Sequence, residues 1–247
     1  MVNDVKNVDA KPKLSKGARL SSDSTTIKVT PNLSVQSNIS SITPFDIFNY
    51  CIERAVNLLK IHKAAHGKKV KPEKYLADAH RATIVLAVSA LDAFIRTFII
   101  SRIRNILADK SKKLPNDLVD KIKKFVDQDS LIDAARKDDL LDRVEKAFIN
   151  DFKKRSFQGT KAIEEIMNTI GVNNVFHLVA INAKMNEDQI KNDLDMYTER
   201  RHLIAHRGDY ELNQQPPLEN IITKKDAESC IKLVKVIAKN INALENK

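Results

Sequence analysis

The chain has little of what sheets and phosphate loops need. Its 247 residues include five glycines and no tryptophan. That argues against an all-β protein and against a dinucleotide-binding α/β fold, both of which use glycine at turns. Neither G-x-G-x-x-G nor G-x-x-x-x-G-K-[ST] occurs, so no cofactor is expected. The two cysteines, Cys51 and Cys230, stand far apart without metal-ligand spacing. They read as buried thiols in a reducing compartment. There is no apolar signal region at the N-terminus, and Asp4 and Asp9 argue against a transit peptide. The expectation is a cytoplasmic protein. The longest apolar run, Ala82 to Ile100, is broken by Ser89, Asp92, Arg96 and Thr97. It suits a core helix better than a membrane span, so no membrane partner is expected.

What is present points to helices. Hydrophobic residues make up 43% of the chain, enough to bury a full core. The formal net charge of +10 predicts attraction to polyanions, with nucleic acid the commonest. Residues 1–42 hold few large apolar side chains and many Lys, Ser, Asp, Asn and Thr, which predicts a flexible basic tail. A short extended piece is expected around Thr26–Val29. Residues 43–247 read as one all-α domain.

Thr43-Pro44 opens the first helix, which runs to Gly67. A basic loop at Lys68–Lys71 leads to a second helix over about 73–108. That helix is apolar nearly all round, which marks it as the central core helix. Residues 114–151 read as a charged helical insertion of two helices, over 114–126 and 130–151. Lys153, Lys154 and Arg155 follow in a basic loop interleaved with Phe152 and Phe157. That loop reads either as a phosphate-and-base contact or as the cap of the next helix, over 160–170. After a short apolar segment, 175–181, a helix runs from about Asn186 to His206, with Gly208 as its stop. The last helix, over 223–243, opens with a capping-box pattern. No strand pair is expected.

Chemistry concentrates in Glu199-Arg200-Arg201-His202-Leu203-Ile204-Ala205-His206-Arg207-Gly208-Asp209. His202 and His206 share one helical face with Glu199 and Asp195. Three readings follow. A metal half-site would take Glu199 as third ligand, but Arg200, Arg201 and Arg207 crowd it with positive charge. A structural cluster would pair these groups with Asp92, Glu199 and Asp209. Phosphoryl chemistry on RNA would use a histidine near neutral pKa for proton transfer and an arginine fork for the phosphate. Asp92 itself reads either as a partner of Arg96 one turn on or as an acid holding an Arg or His of a neighbouring helix.

Arg201-His202-Leu203-Ile204-Ala205-His206 resembles the R-[polar]-x-x-x-H signature of the HEPN superfamily, and the wider stretch resembles its bacterial members with a RiboL-PSP-type domain. Ser89–Phe94 is similar to the acidic core-helix segment upstream of that motif. Ser156–Gly171 is similar to the connecting segment of that branch. The likeness covers roughly residues 45–245. It implies an all-α helical bundle, often homodimeric, with the two motifs facing each other. It also implies metal-independent RNA cleavage in bacterial defence or toxin–antitoxin systems, with an antitoxin or defence protein as a further partner; other members only bind nucleotide or serve as scaffolds. By this resemblance Arg201 would stabilise the phosphate, His206 would transfer the proton and His202 would assist. Asp92 would position Arg201 or His206, and Arg200, Arg207, Lys153, Lys154 and Arg155 would add phosphate contacts. Some members carry a tyrosine two residues after the histidine, where this chain has Gly208; Tyr210 lies four residues on.

Overall fold

The computed structural model describes residues 42–65, 74–213 and 215–244. The expected tail up to residue 41, the piece at Thr26–Val29 and the basic loop at Lys68–Lys71 lie outside them. Among the described residues the chain is all-α, with one two-residue strand pair. Helix α1, Pro44–Ala65, starts where Thr43 and Asp46 exchange hydrogen bonds: Asp46 N donates to Thr43 Oγ1 at 3.1 Å and Thr43 N donates to Asp46 Oδ2 at 3.0 Å. This satisfies two amide donors that a helix start leaves open.

Helix α2, Lys74–Ala108, is the one the others pack on. Ile84, Leu91, Phe94, Ile95, Phe98 and Ile99 along it are buried. Phe48 of α1 meets Phe94 edge-on at 5.8 Å between ring centroids, and Phe98 lies 5.5 Å on the other side. Truncating Phe94 to alanine would cost about 3–5 kcal/mol, lost transfer energy and cavity together. Length and hydropathy alone would let this helix cross a membrane. Its burial by α1, α5, α8 and α9 (Leu140–Phe152, Glu187–Arg207 and Lys224–Asn242 for the last three) makes it a core helix.

The charged segment departs from the expected pair of helices. It forms three: α3, Asn116–Phe125; α4, Gln128–Lys137; and α5. Asp138, with φ of 55°, caps α4 in the left-handed region and breaks the run that the charge pattern had read as continuous. Aspartate is one of the few non-glycine residues that tolerates that conformation. The segment is also part of the core: Leu118, Val144, Phe148 and Phe152 are buried within it, and Phe125 meets Phe148 edge-on at 5.2 Å.

Two short helices, α6 (Thr160–Thr169) and α7 (Val175–Ala183), lead into α8. Asn186 caps α8 by accepting Gln189 N at 2.9 Å, and Gly208, with φ of 59°, ends it. Beyond it β1, Tyr210–Glu211, pairs antiparallel with β2, Leu218–Glu219. No strand pair had been expected, because two residues are too few to show a period-2 pattern. Helix α9 begins with the expected capping box of Thr223 and Asp226. Its inner face, Cys230, Val234, Ile237 and Ile241, is buried.

Candidate functional site

Helix α8 divides its side chains by angle. Ile190, Leu194 and Tyr197 form a buried stripe with spacings of four and three, the period that keeps one face against a neighbour. The next positions of that stripe are Arg201 and Ile204, both half-buried. Arg201 therefore leaves the helix toward the seam with α2, with its Nε enclosed and without a hydrogen-bond partner. His202 and His206 point to the solvent side. Both are exposed, and their rings stack with centroids 5.6 Å apart and planes 20° from parallel. One turn of helix separates them, which places two titratable rings side by side. His206 stands about 140° round the helix from Arg201 at 100° per residue.

Arg200, one residue before Arg201, does something different. Its guanidinium donates to Asp209 Oδ2 at 2.7 Å and to the backbone carbonyls of Ile221 at 3.0 Å and Asn220 at 3.3 Å. Asp209 is completely buried. It also accepts Arg81 Nε from α2 at 2.8 Å. Arg81 reaches on to the Asn220 carbonyl at 2.9 Å and to Glu219 at 2.9 Å. Burial alone would favour a neutral Arg81. Its hydrogen bonds to Asp209 and Asp78, with the charges of Asp209 and Glu219, outweigh that and hold its pKa above the ordinary arginine value. Arg200, expected on phosphate, is thus a strut between α8, α2 and the β1–β2 hairpin. Sequence reasoning missed Arg81. The available signal was a cation at the head of an apolar helix, which needs a carboxylate partner somewhere.

Asp92 also has other work than the resemblance implied. Its carboxylate accepts Arg96 Nε at 2.6 Å and the Phe157 backbone N–H at 2.5 Å, and its bonds are not to Arg201 or His206. Arg96 donates in turn to the carbonyls of Phe152 and Arg155 and lies over the Phe157 ring, 5.3 Å from its centroid. The first reading of Asp92 is the one the structure shows, a pair with Arg96 of its own helix; in place of an Arg or His from a neighbouring helix it takes the Phe157 amide, and together Asp92 and Arg96 fasten the 152–157 loop to α2. Asp195 of α8 fastens the next residues, accepting Thr160 N at 2.8 Å and Thr160 Oγ1 at 2.6 Å. It thereby caps α6 from another helix, since Gly159 offers no side chain. Thr198 adds a bond to the Gln158 carbonyl at 3.0 Å.

The far end of the loop, Gln158 to Thr160, is therefore fixed to α8 one turn before His202, while the loop's basic residues lie at the α2 end. Its aromatics are not free to stack on bases, because Phe152 and Phe157 are buried. Arg155 is held by Glu165 at 2.7 Å and by Asp151 at 3.5 Å. Lys153 is exposed and bonds Asn150 at 3.0 Å, while Lys154 is exposed and has no partner among the described residues. Of the cations expected on phosphate, Lys153, Lys154 and Arg207 are open to solvent.

Among the described residues, no carboxylate pairs with Arg201, His202, His206 or Arg207, and no three His, Cys, Asp or Glu side chains converge as a metal-binding set. Two shallow clefts flank the end of α8. One, about 350 Å³, is lined by Met196, Glu199, Arg200, Leu203 and Ile221. The other, about 490 Å³, is lined by Ala82, Val85, Leu86, Ile204 and Gly208. Another cavity, about 680 Å³, lies apart from the motif, where Ile47, Ile100, Arg104 and Ile149 of α1, α2 and α5 meet. The chemistry tracks the α8 terminus, where proton-transfer groups and unpaired cations coincide.

A family model described as RiboL-PSP-HEPN matches residues 22–244. No curated protein matches the chain, and no solved structure does.

Proposed function

The chain belongs to the RiboL-PSP-HEPN family, and from that premise we propose that it is a metal-independent endoribonuclease that cleaves RNA by attack of the ribose 2′-OH. HEPN proteins are generally associated with ribonuclease activity. The observation that carries the reading is the contrast within α8. Arg200 is tied to buried Asp209, whereas Arg201, His202, His206 and Arg207 pair with no carboxylate among the described residues.

In the proposed reaction His206 takes the proton from the 2′-OH. The 2′ oxygen then bonds to phosphorus, and the bond from phosphorus to the 5′ oxygen breaks. That oxygen leaves with a proton returned by a histidine, giving a 2′,3′-cyclic phosphate and a 5′-hydroxyl. Arg201 faces the charge that builds on the phosphorane. His202, stacked on His206, assists or orients it. The angle of about 140° between Arg201 and His206 favours a homodimer, in which a second copy brings its own α8 end to the same phosphate. Exposed Lys153, Lys154 and Arg207 would guide RNA to the pair. The setting is bacterial defence or a toxin–antitoxin pair in the cytoplasm, where Cys51 and Cys230 stay reduced.

The same angle favours a second reading: a catalytically silent module that binds nucleotide, RNA or a protein partner. Cleavage of a mixed RNA in EDTA separates the two. Wild type should cut, with cyclic-phosphate ends, and the Arg201→Ala, His206→Ala double variant should not. Salt-sensitive binding without any cleavage would select the silent module.

A further inference from the structure

The outer face of α9 carries a row of lysines that meet no carboxylate among the described residues. Lys225, Lys232, Lys235 and Lys239 fall within about 80° of one another on the helix, and all four are exposed. The one acid along the row, Glu228, is held by Lys224 at 3.3 Å. Three lysines of other helices, Lys121, Lys137 and Lys191, each meet a carboxylate, at 3.2, 3.0 and 2.8 Å. The row cannot turn away from solvent, because the opposite face of α9 is buried in the core. It extends about 21 Å, at 1.5 Å per residue. A shallow groove of about 360 Å³ runs beside it, lined by Ile231 and Val236 between the lysines.

The row also has a direction. Ile222 and Asp226, at the entry to α9, line the same cleft as Arg200 and Leu203 of α8. Lys225 therefore stands at the end nearest the candidate site, and Lys239 at the far end.

We propose that this row is a track for the sugar–phosphate backbone of single-stranded RNA, holding the strand beyond the point of cleavage. The inference rests on the endoribonuclease reading for the identity of the polyanion. Lysine suits the task, since an ammonium on a flexible stem follows a backbone without reading sequence. Single strands are bound without sequence preference by a cationic track of this kind. A lipid surface is a poorer fit, because a membrane-lying helix needs a free apolar face and that of α9 is buried.

The test is binding of a 2′-O-methyl RNA 20-mer, which cannot undergo 2′-OH attack, measured by fluorescence anisotropy between 50 and 200 mM salt. Wild type is compared with Lys225→Ala, Lys232→Ala, Lys235→Ala, Lys239→Ala combined. A control carries Lys110→Ala, Lys113→Ala, Lys123→Ala and Lys124→Ala, which removes the same charge elsewhere. Single-strand binding loses about 0.7 of log–log salt slope per phosphate contact. The α9 variant should therefore lose about 3 units of slope and more than tenfold in affinity, the control much less. Equal losses in both variants would reduce the effect to net charge and overturn the track. An unchanged slope in the α9 variant, with wild type binding, would also overturn it and leave the nuclease reading standing. If wild type does not bind the oligomer but still cuts RNA, the track alone falls; if it does neither, both readings fall.

Discussion

The charged helices α3–α5 and the last two turns of α8 hold similar side chains and use them in opposite ways. In the first region two arginines are matched with acid: Arg143 with Asp133 at 2.6 Å and Asp139 at 3.1 Å, and Arg104 of α2 with Glu145 at 2.9 Å. At the end of α8, Arg201, His202, His206 and Arg207 have no such match among the described residues, although Glu199 and Asp195 lie on the same helix. Charge density is comparable in the two regions. The difference between Arg143 and Arg201 is that the first is already neutralised by acid and the second is not.

Asp209 is where that contrast is set, and removing it should have the largest effect on stability. Asp209→Ala would leave Arg81 and Arg200 without their shared carboxylate in a buried position. The expected loss is about 3–5 kcal/mol in denaturant unfolding. It would also let Arg200 swing out beside Arg201 and blur the difference between the two residues. A loss under about 1 kcal/mol would show that the network is not the strut described above.

Asp92→Ala comes next. It unfastens the Phe157 amide and leaves Arg96 half-buried without its acid, for an expected cost of about 1–3 kcal/mol. Hydrogen exchange should rise at the 152–160 loop. If exchange rises instead around His202 and His206 with the loop unaffected, Asp92 acts on the site as the resemblance implied.

A smaller effect lies in the alkaline range. Burial pushes the Cys230 thiol up to about 12. Burial first, with the nearby Cys230 and Asp226, raises the Tyr197 phenol to about 12. In the unfolded chain these groups ionise near 8.5 and 10. Both folded values are raised, so their contribution is intact below about pH 8.5 and is lost as pH climbs toward 12. The melting temperature should fall across that window, less steeply in a Cys230→Ala variant than in wild type. At pH 8 a thiol reagent should label half-buried Cys51 quickly and Cys230 only after unfolding. Equal labelling would contradict the packing of α9.

Least affected should be the matched region. Arg143 is surrounded by exposed carboxylates, and such pairs add little against solvent and salt. Arg143→Ala should leave the melting temperature and RNA cleavage within error. A clear loss of cleavage would move part of the function into α4–α5.

Much of this architecture is legible in the sequence, and the limits have physical causes. Starts and stops carried by single residues can be read directly: the caps at Thr43 and Thr223, the stop at Gly208 and the core character of α2. The break at Asp138 could not, since an aspartate in a charged run gives no sign that it turns left-handed. The β1–β2 pair is too short to leave a pattern. The roles of Asp92, Asp195, Arg81 and Arg200 depend on partners up to 139 residues away, a distance no periodicity encodes. The Arg201, His202 and His206 motif was legible because its members share one helix. The different fate of Arg200 was not, because adjacent residues differ by about 100° and only the packing shows which side is occupied.

The central claim is that the unmatched groups at the end of α8 cleave RNA, and one measurement meets it directly. A mixed RNA is incubated in EDTA with wild type and with the Arg201→Ala, His206→Ala variant, with both proteins shown to be equally folded by circular dichroism. General acid–base catalysis contributes about 10²–10⁴-fold, and losing a charge-stabilising donor costs about as much again as one oxyanion contact, about 10²–10³-fold. The expected result is cyclic-phosphate products from wild type and a loss of at least about 10³-fold in the variant. Equal cleavage by the two proteins would contradict the account.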